Sequence, residues 1–548
     1  MSFRGAVVVA VDDDDRTGEY DEMDAQNTAR AGRREWIGLL VLALPCLLIS
    51  MDASVLDLAV VSISADLRPS GSELLWIVDV YGFVLAGSLI TMGTLGDRIG
   101  RRRLLLIGAA AFGAASLLAA FSTSAQMLIA ARALLGVAGA TLMPSTLSLI
   151  RNMFHDPAQR TRAVGVWLAS LSLGGAIGPL LGGVLLELAW WGAVFLLAVP
   201  VMALLLALAP VLVPESRNPE AGRLDVRSAG LSLAAILALV YGLKQLAHGD
   251  DAATAAATVV AGLVLGGAFV RRQRRLQDPL IDLSLFRLPA FNAALAANLL
   301  GFCVLFGVSL FTVQYMQSVL GMSALEAGVW MVPSFAAFIV GSTVTPMLGR
   351  TVRPAFLLGG GLALASAGFG LVAWIDGASA LAILVLGSTV FSLGLAPVFT
   401  LSTTTAIGAA PPHRAGAASG ISETSTELGA ALGLALLGSI GTAVYRGQLA
   451  DLLPSGVPSH AGDVARETIG GAAAVSDGLP GRLGGALIEA AQQAFTSGLQ
   501  LVALTSGLLT AVMAIVVLVV LRHARTDAAA EDSIEPIAAE PLLAVSVR

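Results

Sequence analysis

The feature that most constrains this chain is a series of continuous apolar runs, each about twenty residues long and separated by short polar segments. A helix of about 20 residues spans the roughly 30 Å of hydrocarbon in a bilayer. Only helices and closed barrels satisfy their backbone hydrogen bonds in lipid, and the lack of alternation excludes a barrel. Charged residues make up 13% of the chain, whereas soluble domains carry about 25%. The sequence therefore predicts an all-α polytopic membrane protein. The predicted spans are 37–61, 76–96, 104–122, 127–150, 162–187, 191–213, 228–246, 254–270, 291–319, 325–348, 354–374, 379–402, 413–444 and 498–521.

These fourteen spans divide into groups of six, two and six. Two six-helix halves that rock about a central site are typical of secondary transporters. The last outer loop, about 445–497, is longer than the others and is expected to form a cap or hairpin. The predicted parts are a polar tail at 1–35, a first half at 36–213, two linker helices with their connectors at 214–290, a second half at 291–522 and a second tail at 523–548.

Basic residues fall mainly on one side of the predicted membrane. With the N-terminus inside, twenty-six of the 32 Lys and Arg residues lie in cytoplasmic segments. This asymmetry and the even number of spans place both termini in the cytoplasm. The acidic run at 12–15 is interpreted as part of a solvated tail, with no cleavable signal peptide. Cys46 and Cys303 lie in apolar spans and no His has metal-ligand spacing, so neither disulfides nor a metal site are expected.

A charged glycine motif lies between spans two and three. It reads Gly93-Thr-Leu-Gly96-Asp97-Arg98-Ile-Gly100-Arg101-Arg102-Arg103. Glycines permit a tight turn, and an Asp can pair with nearby arginines. A positive-inside anchor would explain the arginines but not the spacing of Gly and Asp. The motif resembles the cytoplasmic signature of the major facilitator superfamily. That resemblance implies a conformational latch formed by Gly93, Asp97, Arg98, Gly100, Arg101 and Arg102.

A second glycine motif lies in span five, where Gly174, Gly178 and Gly182 recur every four residues beside Pro179 and Gly183. Such a stripe lets another helix approach closely, and proline kinks the helix that carries it. Ordinary packing of small residues would account for the stripe alone. The whole G-x-x-x-G-P-x-x-G-G pattern resembles the antiporter signature of drug:proton exchangers, which implies export rather than uptake.

Three ionisable residues lie at membrane depth near the outer side, where burial of charge is costly and marks candidate functional sites. Asp52 of span one lies about 13–15 Å from the outer end, at 1.5 Å per residue. Asp79 of span two and Arg132 of span four could join it in one cluster. An apolar site favours the protonated acid and a nearby Arg favours the carboxylate, so Asp52 can take up and release protons. Asp57 lies about 140° from Asp52 around the helix and is expected to be interfacial.

Glu423 and Glu427 lie four residues apart in span thirteen and project from the same face. Ser, Thr or water could satisfy them, but a site that neutralises a cationic substrate or exchanges it for protons is the favoured interpretation. The aromatic residues Trp76 and Tyr81 near Asp79 offer cation–π surfaces. The predicted substrate-binding residues are therefore Asp79, Glu423, Glu427, Trp76 and Tyr81.

Taken together, residues 35–525 resemble the fourteen-spanner drug:proton antiporter branch of the major facilitator superfamily, and within it the QacA-like exporters of quaternary ammonium compounds. The resemblance includes the segment Met51–Val55, Asp79, the connector that begins at Pro279, and the two glutamates of span thirteen. It implies proton coupling at Asp52 and cation recognition at Glu423. Arg132, at a depth similar to that of Asp52, is predicted to take part in proton coupling. Two departures are Ala59-Val60-Val61, where the family has Ala-Leu-Pro, and a span ten without an acid after Glu326.

The sequence thus predicts an exporter of cationic amphiphiles such as quaternary ammonium compounds, dyes and biguanide-type antiseptics. It would be a monomer driven by the proton gradient across a bacterial plasma membrane, without a cofactor and without nucleic-acid partners. Export of an endogenous natural product for self-resistance is an alternative that the motifs do not distinguish. A polytopic membrane enzyme is a remote one, because the acidic run at 12–15 is the single candidate metal or diphosphate site. Natural substrate and proton stoichiometry stay open.

Overall fold

A computed structural model describes residues 31–217, 225–248, 252–276, 281, 283–349, 351–410 and 415–521. The two polar tails, the acidic run at 12–15 and parts of both connectors lie outside the described residues. Every regular element in the described ranges is helical. The helices are α1 (Arg33–Leu67), α2 (Gly71–Ile99), α3 (Arg101–Ala120), α4 (Ala125–Met153), α5 (Pro157–Leu188), α6 (Ala193–Leu196), α7 (Ala198–Leu212), α8 (Val226–His248), α9 (Ala252–Gln273), α10 (Pro289–Ser318), α11 (Ala324–Leu348), α12 (Pro354–Ala373), α13 (Ala380–Ala409), α14 (Ala415–Leu432), α15 (Gly438–Leu452), α16 (Ser459–Glu467), α17 (Ile469–Ser476) and α18 (Gly481–Val520).

The all-α prediction is confirmed. Thirteen described helical segments are long and apolar enough to cross a membrane. Helix α8 adds a shorter apolar stretch, Val226–Gly242, so the described residues are compatible with the fourteen spans expected. Spans six and thirteen each consist of two consecutive helices. Helices α6 and α7 meet at Leu197, and a π-helical turn at Gly433–Leu437 joins α14 to α15.

Several helices start at capping side chains placed in the polar turns. Ser70 accepts a hydrogen bond from the backbone N–H of Glu73 (3.2 Å), whose carboxylate accepts the N–H of Ser70 in return. Ser323 and Glu326 make the same reciprocal pair at the start of α11. These capping boxes satisfy backbone donors that a helix leaves unpaired. Glu326 therefore caps the start of α11 rather than marking a buried site.

The long segment at 445–497 contains more helix than its polar residues suggest. Helix α15 continues to Leu452, α16 and α17 follow, and α18 already begins at Gly481. We call residues 453–480 the cap, and the end of the molecule where it lies the cap end. The opposite end, which carries Arg98 and Arg101–Arg103, is the basic end. Tyr445 anchors the cap, because its hydroxyl donates to the carbonyl of Ala465 (2.7 Å).

The protein has two large buried apolar clusters, one mainly within α1–α7 and the other mainly within α10–α18. The two halves touch where small residues allow backbones to approach. A Cβ on Gly183 of α5 would lie 2.6 Å from Leu325 Cα, and one on Gly328 of α11 would lie 2.7 Å from the Pro179 carbonyl oxygen. A Cβ on Gly82 of α2 would lie 3.2 Å from that of Ala431. These crossings lie nearer the cap end than the basic end.

Candidate functional site

Asp52 of α1 and Arg132 of α4 form a buried ion pair. Arg132 donates through Nη1 to the Asp52 carboxylate, through Nε to the carbonyl of Ile77 (3.2 Å) and through Nη2 to that of Val78 (3.4 Å). The arginine side chain is 1% exposed and the aspartate side chain 15%. The guanidinium therefore links α1 to the backbone of α2, and the Asp52 carboxylate stays partly exposed.

Tyr81 of α2 belongs to this same site. The Arg132 Cζ atom lies 4.6 Å from the centroid of the Tyr81 ring, in cation–π geometry. Asp79, on the same helix, is fully buried. Trp76 instead packs towards the linker helices, which are α8 and α9. Its ring centroid lies 6.4 Å from that of Tyr241 in α8. The structure thus brings Asp52, Arg132 and Tyr81 together and turns Trp76 away from them.

Asp57 lies on another face of α1, as its angular separation from Asp52 predicts. It is buried, with 5% exposure, and its Oδ2 atom accepts a hydrogen bond from Ser309 Oγ of α10 (3.4 Å). It lies ten residues before the end of α1, about 15 Å along the helix axis. The expectation that Asp57 is interfacial is therefore wrong, because α10 packs over it.

Asp57 lines a cavity that we call the aromatic chamber. It encloses about 230 Å³ between α1, α5, α10, α11 and α13, and so involves both halves. Asp57 is the one ionisable side chain among the described residues around it. Hydroxyl groups of Ser50, Ser54 and Ser309 also line the chamber. Its aromatic residues are Phe302, Phe306, Trp330, Phe335, Phe338, Phe391 and Phe399.

Several of these rings contact one another. The centroids of Phe302 and Phe399 lie 4.0 Å apart, and those of Phe338 and Phe399 lie 5.7 Å apart. Such ring clusters give a wide apolar surface. The face of each aromatic ring also carries partial negative charge, which attracts cations. An apolar space with one buried carboxylate and several rings is chemically suited to an organic cation.

Glu423 and Glu427 project half-buried from α14. This part of α14 is attached to α10, because Asn298 donates to Thr426 Oγ1 (2.8 Å) and Ser425 donates to the carbonyl of Leu295 (3.3 Å). Neither glutamate lines the aromatic chamber. The structure therefore separates these acids from Asp57.

The charged glycine motif forms a tight corner between α2 and α3. Gly100 has φ +111°, which favours glycine. Asp97 pairs with Arg101 (2.6 Å), and the backbone N–H of Arg102 donates to the carboxylate of Glu215 (2.9 Å). Arg102 also donates to the carbonyl of Val213 (3.0 Å). These contacts join the corner to the end of α7 and to the connector that follows it.

The glycine stripe of α5 packs against α1, the helix that carries both aspartates. A Cβ on Gly174 or Gly178 would overlap the Leu47 carbonyl or Ser54 Oγ, and one on Gly182 would lie 2.8 Å from a Val55 methyl. The stripe therefore brings α5 as close to α1 as two backbones allow.

The sequence did not predict the aromatic chamber, whose lining comes from five separate helices, and it placed Asp57 at the interface. Ser50, Ser54 and Asp57 follow the i, i+4, i+7 spacing of one helical face within an otherwise apolar span. That polar stripe was a signal for a lined cavity. The phenylalanines carried none, because aromatic residues are common throughout membrane helices.

Comparisons with known proteins agree with this architecture. A sequence profile of the Major Facilitator Superfamily matches residues 42–434. The multidrug efflux pump LfrA of Mycolicibacterium smegmatis is 44% identical over 91% of this chain and 98% of its own. The methyl viologen resistance protein SmvA of Salmonella typhimurium is 35% identical over 84% and 93%. A solved bacterial homologue of the human lysosomal transporter Spinster, inward-facing and unoccupied, superposes with a TM-score of 0.64 at 17% identity, covering 90% of this chain and 98% of that one.

Proposed function

Because the chain belongs to the major facilitator superfamily and is a drug exporter by its similarity to multidrug efflux pumps, we propose that it exports lipophilic cations in exchange for protons. The chain is a multi-pass membrane transporter and not an enzyme. We place it in a bacterial plasma membrane with its basic end in the cytoplasm, on the distribution of arginine. We also assign it to the QacA-like branch.

One observation carries the proposal: α1 presents two carboxylates, one part-buried and one buried, on two different faces. Asp52 forms an ion pair with Arg132, whereas Asp57 faces the aromatic chamber. The positive charge of Arg132 balances that of the first acid for as long as the ion pair holds. The second acid supplies negative charge in an apolar space, where a cation is strongly attracted. One helix can thereby connect protonation to cation binding.

The proposed cycle begins from the described arrangement, which is closed at the cap end. A cation enters from the cytoplasm or the inner leaflet and binds among the rings near Asp57, with Glu423 and Glu427 attracting it from the second half. A proton that reaches Asp52 neutralises this carboxylate and releases Arg132, so that α1 is no longer held to α4. Because α5 is packed backbone to backbone on α1, the two helices move together and reshape the chamber. Release of the cation then follows on the outer side.

The name of one relative supports this substrate class, since SmvA is a methyl viologen resistance protein and methyl viologen is an organic cation. Natural-product export remains the second candidate for the same fold. We also propose that Asp79 and Trp76 contribute to substrate binding, as the sequence predicts. Tyr81 would act through its contact with Arg132.

The test is ethidium transport by the full chain in proteoliposomes with an imposed pH gradient, with and without a protonophore. We expect wild type to transport ethidium only when a pH gradient drives protons in the opposite direction. Asp52→Asn should lose this dependence on the pH gradient. Asp57→Asn should bind ethidium about tenfold or more weakly, because contacts to a charged group contribute about 1.5–3 kcal/mol. Glu423→Gln should impair transport of cations more than that of neutral substrates.

Two exposed acids provide matched controls, Asp451→Asn for the aspartates and Glu489→Gln for the glutamate. Both should transport as wild type does. Unchanged transport in the presence of protonophore would exclude proton coupling. If wild type moves no cation at all, the cation proposal fails and natural-product export becomes the leading function.

A further inference from the structure

A second large space lies apart from the aromatic chamber, between the linker helices and the two halves. We call it the linker groove. It encloses about 940 Å³ and is lined by α2, α8, α9 and α14. Its walls are formed mostly by small and aliphatic residues such as Ala86, Ala235, Leu239 and Leu263. Only 11% of the apolar stretch of α9 is buried, so this helix faces outward along most of its surface.

The charged part of the groove is confined to the basic end. Arg271 and Arg274, at the end of α9 and just beyond it, line the groove there and are exposed. Their neighbour Arg272 is engaged elsewhere: its Nη2 atom donates to Asp225 (2.8 Å) and holds the pKa of that carboxyl at about 2. Within the described residues, neither Arg271 nor Arg274 has an acidic side chain at salt-bridge distance. Two guanidinium groups are therefore available at one end of an apolar groove.

This combination selects one kind of occupant. A long apolar groove ending in two arginines complements a molecule with an acyl chain and an anionic head group. Arginine binds phosphate oxygens through paired N–H donors, and basic pockets between membrane helices at the cytoplasmic side suit anionic lipid head groups. A cationic drug would be repelled by the same two charges. We propose that the linker groove binds an anionic phospholipid of the inner leaflet, with its phosphate at Arg271 and Arg274.

The groove also touches the helix that carries the predicted cation-binding acids. Thr424 and Leu428 of α14 line it, each one residue beyond Glu423 and Glu427. A bound acyl chain would therefore pack α8 and α9 against α14 and against α2. The two linker helices then serve to hold a structural lipid beside the transport path.

The test is native mass spectrometry of the purified full chain with phosphatidylglycerol or phosphatidylcholine. We expect wild type to retain phosphatidylglycerol in preference to phosphatidylcholine. The double variant Arg271→Gln/Arg274→Gln should bind it about thirtyfold more weakly, since each basic residue contributes about fivefold near a membrane surface. Arg217→Gln/Arg275→Gln removes the same charge from exposed positions that do not line the groove, and should retain wild-type binding.

A second variant tests the acyl-chain part of the site. A Cβ on Gly266 would meet only Ala235 Cβ, at 3.9 Å, so Gly266→Leu fills the groove without displacing backbone. It should weaken phosphatidylglycerol binding while leaving the arginines intact, whereas Gly230→Leu on the exposed side of α8 should not.

Each other outcome contradicts the proposal. Binding that is insensitive to Gly266→Leu but lost without the arginines would indicate a site for free phosphate rather than for a lipid. Equal retention of both phospholipids, or equal loss in both double-arginine variants, would indicate a non-specific surface charge effect. Because no step of this assay requires transport, its failure would leave the export proposal standing, and failure of ethidium transport would not affect this one.

Discussion

Arg132 is the largest side chain that the protein buries completely within its described residues. All three of its side-chain nitrogens donate, one to a carboxylate and two to backbone carbonyls, which is why burial of the charge is tolerated. Lysine could not reproduce this arrangement, because a single ammonium group lacks the planar fork of the guanidinium. The residue thus combines a charge for Asp52 with a structural attachment of α4 to α2.

This geometry predicts a difference between single and double variants. Asp52→Asn leaves a buried guanidinium without its counter-charge, which costs about 3–5 kcal/mol. Asp52→Asn/Arg132→Gln removes both charges, so we expect it to regain part of the lost stability but not proton-coupled transport. The measurement is the thermal unfolding midpoint in detergent for wild type and the two variants. Equal midpoints for the single and double variants would show that the pair is not coupled.

At the residue scale, the depth of an acid in its span was predictable from the sequence, but its partners were not. Asp52 and Arg132 were expected near each other, because both lie at similar depth, and the structure joins them. Asp57 was expected at the interface, because the packing of α10 over that face depends on contacts about 250 residues apart in the chain. Partners in distant segments are set by tertiary packing, which a single sequence does not display.

At the scale of elements, the glycine stripe of α5 determines how closely α5 packs against α1, the helix that carries Asp52 and Asp57. Span positions were predictable, because hydropathy and length are local properties. The division of span six at Leu197, the π-helical turn at Gly433–Leu437 and the helices of the cap were not. The π-helical turn lies where two helices approach closely, since a Cβ on Gly433 would overlap the Cys303 carbonyl.

The stripe provides a prediction with an internal control. Gly178→Ala would place a methyl group on Ser54 Oγ and push α5 away from α1, whereas Gly165→Ala in the same helix meets no atom within 4 Å. We expect the first to reduce proton-coupled transport about tenfold or more and the second to leave it unchanged, since overpacking costs about 1–3 kcal/mol. Transport rates in proteoliposomes, normalised to the amount of folded protein, measure this effect. Comparable rates for both variants would show that close α1–α5 packing has no part in coupling.

At the scale of the whole molecule, the cap ties the second half of the chain to the first. Glu467 accepts a hydrogen bond from the backbone N–H of Gly71 (2.8 Å) and pairs with Arg446 (3.0 Å). Thr468 and Ser64 share a hydrogen bond between their hydroxyl groups (2.8 Å). Alternating access requires these bonds to break whenever the cap end opens. They therefore favour the arrangement that is closed at the cap end.

Removing these contacts should shift the population from the state that is closed at the cap end towards the state that is open there. In Glu467→Gln/Thr468→Val, two polar attachments to the first half are weakened, each contributing about 0.5–1.5 kcal/mol. A shift of about 1–3 kcal/mol changes the ratio of the two states roughly fivefold to more than a hundredfold. Spin labels can report this ratio, with one pair at Thr123 and Ser379 for the cap end and another at Arg103 and Thr351 for the basic end. All four positions are exposed, and the two natural cysteines are buried.

The expected result is a longer mean distance for the cap-end pair and a shorter one for the basic-end pair in the double variant. Opposite changes at the two ends would identify rocking of two halves, because a local loosening of the cap lengthens only the first distance. Asp463→Asn lies in the cap but bonds only within it, to Arg466. It should leave both distributions as in wild type. If the double variant also leaves both unchanged, the bonds from Glu467 and Thr468 do not bias the transport cycle, and closure at the cap end rests on the glycine crossings between α5 and α11.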